Sequence, residues 1–204
     1  MARRPDLVGL TVLAMLSLRP AHPYELHRFI VDTHKDYVTG LPRSLYHAVE
    51  RLAGQELIVP VETSRQGRRP ERTVYEITGE GRRELATRLR ALLESPQGDR
   101  RTFTAAVSLM GVLPVPDALQ SLRTRAASLE GELAGLNAHL DALRASGLPE
   151  VLTVELDYER TLSEAELGWV RRLIARLESG ELTWSGTLNE GLLAQVLDER
   201  KSES

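Results

Sequence analysis

Arg65, Gln66, Arg68, Arg69 and Arg72 fall within eight residues around Gly67, and Glu71 is the one acid among them. Guanidiniums crowded onto a short polar stretch repel one another. A polyanion offsets that cost, because each arginine that neutralises a phosphate releases counterions and adds affinity. Read by itself, such a run is a solvated loop. A second group lies earlier in the chain. At about 100° per residue, Leu45, Ala48, Val49 and Leu52 fall on one side of a helix, which leaves Arg43, His47 and Glu50 on the other, with Ser44 and Tyr46 on the flanks. A guanidinium, a hydroxyl, a phenol and an imidazole can reach phosphates and base edges. For the helix alone a polar solvated face is the favoured reading, and the arginine loop beside it reverses that.

The elements around these residues set the order in which they are presented. A first helix is expected from about Asp6, its cap, to Ser17. Arg3 and Arg4 ahead of the apolar stretch Leu7–Leu18 resemble the start of a signal peptide, but Asp6 interrupts the junction and no small-x-small cleavage pattern follows, so a buried helix is the reading taken. A second helix runs from Pro23 to about Lys35, with Leu26, Phe29 and Ile30 as its apolar stripe. After the turn Thr39-Gly40-Leu41-Pro42, a third runs to about Gly54. Leu57–Val61 and Thr73–Ile77 read as two strands around the arginine loop, and Thr78 can cap a fourth helix carrying Leu85, Leu89 and Leu92. Three helices, a hairpin and a closing helix are the order of a winged helix-turn-helix.

Beyond Ser95-Pro96-Gln97-Gly98-Asp99 the pattern is helical. A short helix is expected from about Arg101 to Gly111, then a restart near Pro114 and Pro116, with Asp117 and Gln120 at capping-box spacing. Leu119, Leu122, Ala126, Leu129, Leu133, Leu136, Leu140 and Leu143 alternate steps of 3 and 4, a heptad repeat that argues for a coiled-coil-like helix pair. Gly131 and Gly135 fall off that seam. A further helix, about Leu152 to Ser179, carries Tyr158, Leu162, Ala165, Trp169, Leu173 and Leu177, with Leu167, Val170 and Ile174 widening its face. A small amphipathic pattern follows from Leu188 to Leu197.

Composition narrows the function. The 204 residues hold no cysteine, which removes disulfides, thiolate metal sites and a cysteine nucleophile. His22, Glu25 and His27 lie close together without the His-Glu-x-x-His spacing of a zinc site, and there is no glycine-rich phosphate cradle, so an enzyme, a metal and a cofactor are not expected. No apolar run reaches the ~18 residues of a membrane span. Net charge is -3, but residues 1–90 hold 15 basic against 11 acidic side chains and residues 91–204 hold 11 against 18. A basic front and an acidic back suit two different partners.

Residues 41–85 resemble the core of the PadR-like transcriptional regulators. The resemblance rests on Leu45-Tyr46, Leu57-Ile58, Gly67-Arg68-Arg69-Pro70 and Tyr75-Glu76-Ile77-Thr78, with His22-Pro23-Tyr24-Glu25-Leu26 similar to the family's second-helix start. The back half is similar in layout to the virulence-activator-type helical domain, where Glu166-Leu167-Gly168-Trp169 matches Glu-x-x-Trp. The resemblance implies a fold that is mainly α with a small β-hairpin. A winged helix-turn-helix DNA-binding domain would span 1–95, a linker 96–100, an all-helical dimerisation domain with a long coiled-coil-like helix 101–182, and a tail with a short helix 183–204. It implies a cytoplasmic homodimer that binds a pseudo-palindromic operator in double-stranded DNA, as a rule as a repressor, and that a small-molecule effector can release. Carried over by position, the DNA-binding residues are Arg43, Ser44, Tyr46 and His47, with Arg51 at the side, and Arg65, Gln66, Arg68 and Arg69 in the wing. Leu119, Leu122, Leu129, Leu133, Leu136, Leu140, Trp169 and Leu173 would pair the subunits. Trp169 is the candidate to line an effector pocket; the other reading makes it a packing anchor. The alternative function is a winged-helix protein-interaction module, against which the three wing arginines argue.

Overall fold

A helix that is apolar on every side is stable only when surrounded, and Leu7–Leu18 forms such a helix, α1, with every residue from Gly9 to Leu16 buried. The computed structural model describes residues 5–35, 37–64, 72–96 and 99–184. Asp6 caps α1 as expected, its Oδ1 accepting from the Gly9 amide at 3.0 Å. The second helix, α2, spans Pro23–Asp32 and ends earlier than the pattern suggested. Its cap is His22, whose Nδ1 accepts from the Tyr24 amide at 3.1 Å while Glu25 Oε2 accepts from the His22 amide at 2.9 Å. The third, α3, spans Arg43–Gly54 and buries Leu45, Ala48, Val49 and Leu52, the four residues its periodicity singles out.

Strands β1 (Ile58–Ser64) and β2 (Arg72–Ile77) pair antiparallel, with a bulge between Pro60 and Glu62. Ala21 bridges to Tyr75 on the other edge of β2: each amide donates to the other's carbonyl at 3.0 Å. The hairpin is thereby tied to the connection between α1 and α2. Helix α4 spans Gly79–Glu94, and Thr78 Oγ1 caps it by accepting from the Gly81 amide at 3.0 Å. Gly81 is required there, because a Cβ would stand 2.1 Å from the Leu57 carbonyl oxygen. The buried stripe of α4 is Leu85, Leu89 and Leu93; Leu92, expected in that stripe, is half-buried one position out of register.

Helix α5 (Arg100–Leu109), capped by Asp99, leads through a 3-10 turn at Met110–Val112 to α6 (Val115–Ala145). Asp117 lies inside the first turn of α6 rather than at its cap, since the helix begins two residues earlier. A second 3-10 turn at Glu150–Leu152 precedes α7 (Val154–Glu178). The chain divides into two compact units, one of Met1–Leu92, Gly98–Pro114 and Trp184–Ser204, the other of Leu93–Gln97 and Val115–Thr183. The division differs from the expected break at 96–100. Helix α5 belongs with the winged-helix elements because its side chains bind the turn before α3, and Leu93–Gln97 belongs with the helical unit. The amphipathic pattern at 188–197 lies outside the described residues.

The second unit is a hairpin of α6 against α7. Leu122, Ala126, Leu129, Leu133 and Leu140 of the heptad seam are buried, and Leu119, Leu136 and Leu143 are half-buried. On α7 the buried residues are Leu167, Val170, Leu173 and Leu177. Arg125, 1% exposed, is enclosed with them. Its Nε donates to Glu166 Oε1 at 2.7 Å and its Nη1 to the carbonyls of Leu93 and Ser95. One guanidinium therefore joins three segments of this unit.

Candidate nucleic-acid interface

The burial of Leu45, Val49 and Leu52 turns Arg43, Tyr46, His47 and Glu50 outward. Arg43 has no hydrogen-bond or ion-pair partner among the described residues, so its guanidinium is available. Tyr46 is 43% exposed, high for a tyrosine, and keeps its phenol in water. His47 Nδ1 stands 3.6 Å from Glu50 Oε2, an ion pair when the imidazole is protonated. Ser44 is engaged differently: its Oγ donates to the Thr39 carbonyl at 2.8 Å. That bond fixes the entry to α3, and the oxygen's lone pairs remain to accept.

Two sets of the expected residues stand apart from this face. Arg51 lies beside the outward face but pairs with the Asp6 carboxylate at the cap of α1. It lines a cavity of about 610 Å³ with Pro5, Leu10, Gln55, Arg88, Ala91 and Leu92. Its charge is thus already answered within the protein. The wing residues Arg65, Gln66, Arg68 and Arg69 lie outside the described residues; the strands that carry them are described up to Ser64 and from Arg72.

What positions α3 is the turn before it, and here α5 contributes side chains that local patterning does not announce. Gly40, with φ +75°, makes the turn. Arg101 donates through Nε and Nη2 to the Tyr37 carbonyl at 2.9 and 2.6 Å, and through Nη2 to Thr39 Oγ1 at 2.9 Å. Lys35 and Tyr37 both donate to Ser108 Oγ, at 2.8 and 3.3 Å. Burial raises the Tyr37 phenol's pKa, against hydrogen bonds with Ser108 and Thr11 that lower it. The only sequence signal for this clamp is the arginine pair at the start of α5, which reads as ordinary surface charge.

The expected pairing residues fall into two sets. Leu122, Leu129, Leu133, Leu140 and Leu173 are buried within the chain, and Leu119 and Leu136 are half-buried. Trp169 is 40% exposed, on the same side of α7 as Leu162 and Tyr158, which are 51% and 63% exposed. The notion that one stripe runs from Tyr158 through Leu177 is corrected: Tyr158, Leu162, Ala165 and Trp169 face outward, whereas Leu173 and Leu177 join Leu167 and Val170 inside. Among the described residues no group of three or more histidines and acids could hold a metal ion, and no helix is long and apolar enough to cross a membrane.

Residues 12–87 match the Transcriptional regulator PadR-like family. Among curated proteins none matches the chain. Among solved structures the chain is similar to Bacillus subtilis PadR in complex with operator DNA, at 16% identity and a TM-score of 0.40 over 86% of this chain and 99% of that one. It is similar also to a PadR-like transcriptional regulator from Bacillus cereus, at 17% identity and a TM-score of 0.37 over 85% and 99%. A third, a putative transcriptional regulator from Thermoplasma acidophilum, shares 24% identity over 52% of this chain and 91% of that one, with a TM-score of 0.36.

Proposed function

We propose that this chain, whose residues 12–87 match the Transcriptional regulator PadR-like family, is a transcriptional regulator that reads a pseudo-palindromic operator in double-stranded DNA as a homodimer and represses the gene beside it. The observation that carries the reading is the outward face of α3, where Arg43 stands unpartnered among the described residues with Tyr46 and His47 beside it. Arg43 and His47 meet base edges in the major groove; Tyr46 holds a phosphate, with Ser44 Oγ fixing the helix entry. The arginines at 65, 68 and 69 supply affinity that does not depend on sequence.

Dimer formation falls to α7. Tyr158, Leu162, Ala165 and Trp169 recur at steps of 4, 3 and 4 and lie open to solvent, and an apolar stripe of this kind marks an interaction surface. The seam leucines of α6 are buried against their own chain and support that surface from beneath. Two-fold operator symmetry asks for two α3 helices about 34 Å apart, one turn of duplex. A planar apolar effector seated on Trp169 competes with the partner chain and releases the operator.

The test is gel retardation of duplex fragments from the protein's own locus. One discrete shifted species is expected, with two chains per duplex by sedimentation and survival in excess unrelated DNA. Equal shifting of every fragment would discard the operator-reading function and leave a non-specific binder.

A further inference from the structure

Arg101 lies beyond residues 12–87, the segment that matches the family, yet its side chain reaches back to the turn before α3. The guanidinium acts there as a fork. Nε and Nη2 donate together to the Tyr37 carbonyl at 2.9 and 2.6 Å, and Nη2 donates also to Thr39 Oγ1 at 2.9 Å. The segment it grips is the one from which α3 hangs. The Thr39 carbonyl accepts from Ser44 Oγ at 2.8 Å, and the neighbouring Gly40 carbonyl accepts from the Ser44 amide at 3.0 Å. Tyr37–Pro42 lie in no helix or strand, so bonds from outside must supply the order that the turn's own backbone does not. The grip is fixed at its root as well. Asp99 Oδ1 accepts from the Thr102 amide at 2.8 Å and caps the turn of α5 that carries Arg101.

We propose that Arg101 is a positioning residue that determines operator selectivity, holding the first turn of α3 where Arg43 and His47 reach base edges. This selectivity rests on the DNA-reading function proposed above; the grip on the turn does not. A contact with a base edge is lost when the helix entry shifts by a fraction of an ångström, whereas contacts with the repeating phosphates tolerate the shift. Arg101 thus selects without touching a base. The competing use of an exposed arginine is to bind a phosphate itself, and lysine separates the two. Lysine keeps the charge that a phosphate needs but has no planar fork to set two N–H groups on one carbonyl.

Selectivity is read as the ratio of Kd for an unrelated duplex to Kd for the fragment of the protein's own locus that it retards. Arg101→Lys should lower that ratio about tenfold and leave the salt slope unchanged. Thr39→Val, which removes the Oγ1 acceptor, should lower it in the same direction, and Thr39→Ser, which keeps that oxygen, should restore it. Wild-type selectivity in Arg101→Lys, with a salt slope lower by ~1 in Arg101→Gln, overturns the positioning role and makes Arg101 a phosphate contact. Selectivity lost only in variants that also lose helix content by circular dichroism overturns it too. Amide hydrogen exchange on the full chain tests the grip with no DNA present. In Arg101→Lys the Ser44 and Leu45 amides should exchange at least about tenfold faster, while Val49 and Leu52 keep their wild-type rates. Unchanged exchange at Ser44 and Leu45 overturns the grip. Absence of selective retardation by the wild type is instead a failure of the DNA-reading function and removes the selectivity with it, while the exchange result stands.

Discussion

Arginines are paired with carboxylates in both compact units, and the first adds Arg43 on an outward helix face with no partner among the described residues. In the second unit they are matched to carboxylates across the helix pair: Arg125 with Glu166, Arg123 with Glu178 at 2.6 Å, and Arg171 with Glu130 at 2.8 Å. In the first, Arg51, Arg83 and Arg88 are matched likewise to Asp6, Glu80 and Glu84, but Arg101 holds backbone and hydroxyl oxygens of a turn, and Arg43 faces water without a partner among the described residues. A guanidinium already answered by a carboxylate gains little by moving to a phosphate. Arg43 therefore marks the first unit as the one to meet nucleic acid under the proposed function, which the net charge of -3 does not do.

The contrast can be broken most forcefully at Arg125. Arg125→Ala removes a buried side chain and leaves the Leu93 and Ser95 carbonyls without their donor, while half-exposed Glu166 turns to water, so the helical unit should lose about 3 kcal/mol, read from urea unfolding. A loss under about 1 kcal/mol would mean that the α6–α7 pair does not depend on that guanidinium. Next comes the outward stripe. Leu162→Glu should weaken the proposed homodimer about 100-fold by sedimentation while leaving helix content unchanged, since Leu162 is exposed in the single chain. An unchanged dimer would move the interface away from α7. Arg43→Ala should cost operator binding about 1–3 kcal/mol and relax base preference at one position in each half-site. Tyr46→Phe should weaken binding with preference intact; identical preferences for wild type and Arg43→Ala would shift specificity to DNA shape. Smallest is the wing pair. Replacing Arg68 and Arg69 by Ala should weaken all duplexes about equally and lower the salt slope by up to ~1 for each phosphate no longer neutralised. Weakening confined to one sequence would make the wing a base reader.

How much of this was legible in the sequence depends on distance along the chain. The buried face of α3 and the caps at Asp6 and Thr78 follow from spacings of three and four residues, and each is found where the pattern puts it. The heptad leucines of α6 were equally legible as a seam. A periodic pattern, however, names a face and not what covers it, so the division between helix-pair core and open stripe had to come from the structure. The clamp on the α3 turn was invisible, because Lys35–Ser108 and Arg101–Tyr37 join residues 73 and 64 positions apart through side chains that look like ordinary surface charge. The same holds for Arg51, whose partner Asp6 lies 45 residues away and reads locally as a helix cap alone.

The bridge between Ala21 and Tyr75 bears on the thermodynamics of docking. Two separately hinged contact elements would each lose orientational freedom on meeting a duplex, and each loss would oppose association. Ala21 immediately precedes the His22 cap of α2, while Tyr75 lies in the strand that returns from the wing. Locked by two 3.0 Å hydrogen bonds, hairpin and helix-turn-helix would meet a duplex already oriented to each other under the proposed function. The ordering was completed when the chain folded, so a second contact would form without a further entropic penalty and dissociation would require both to let go together.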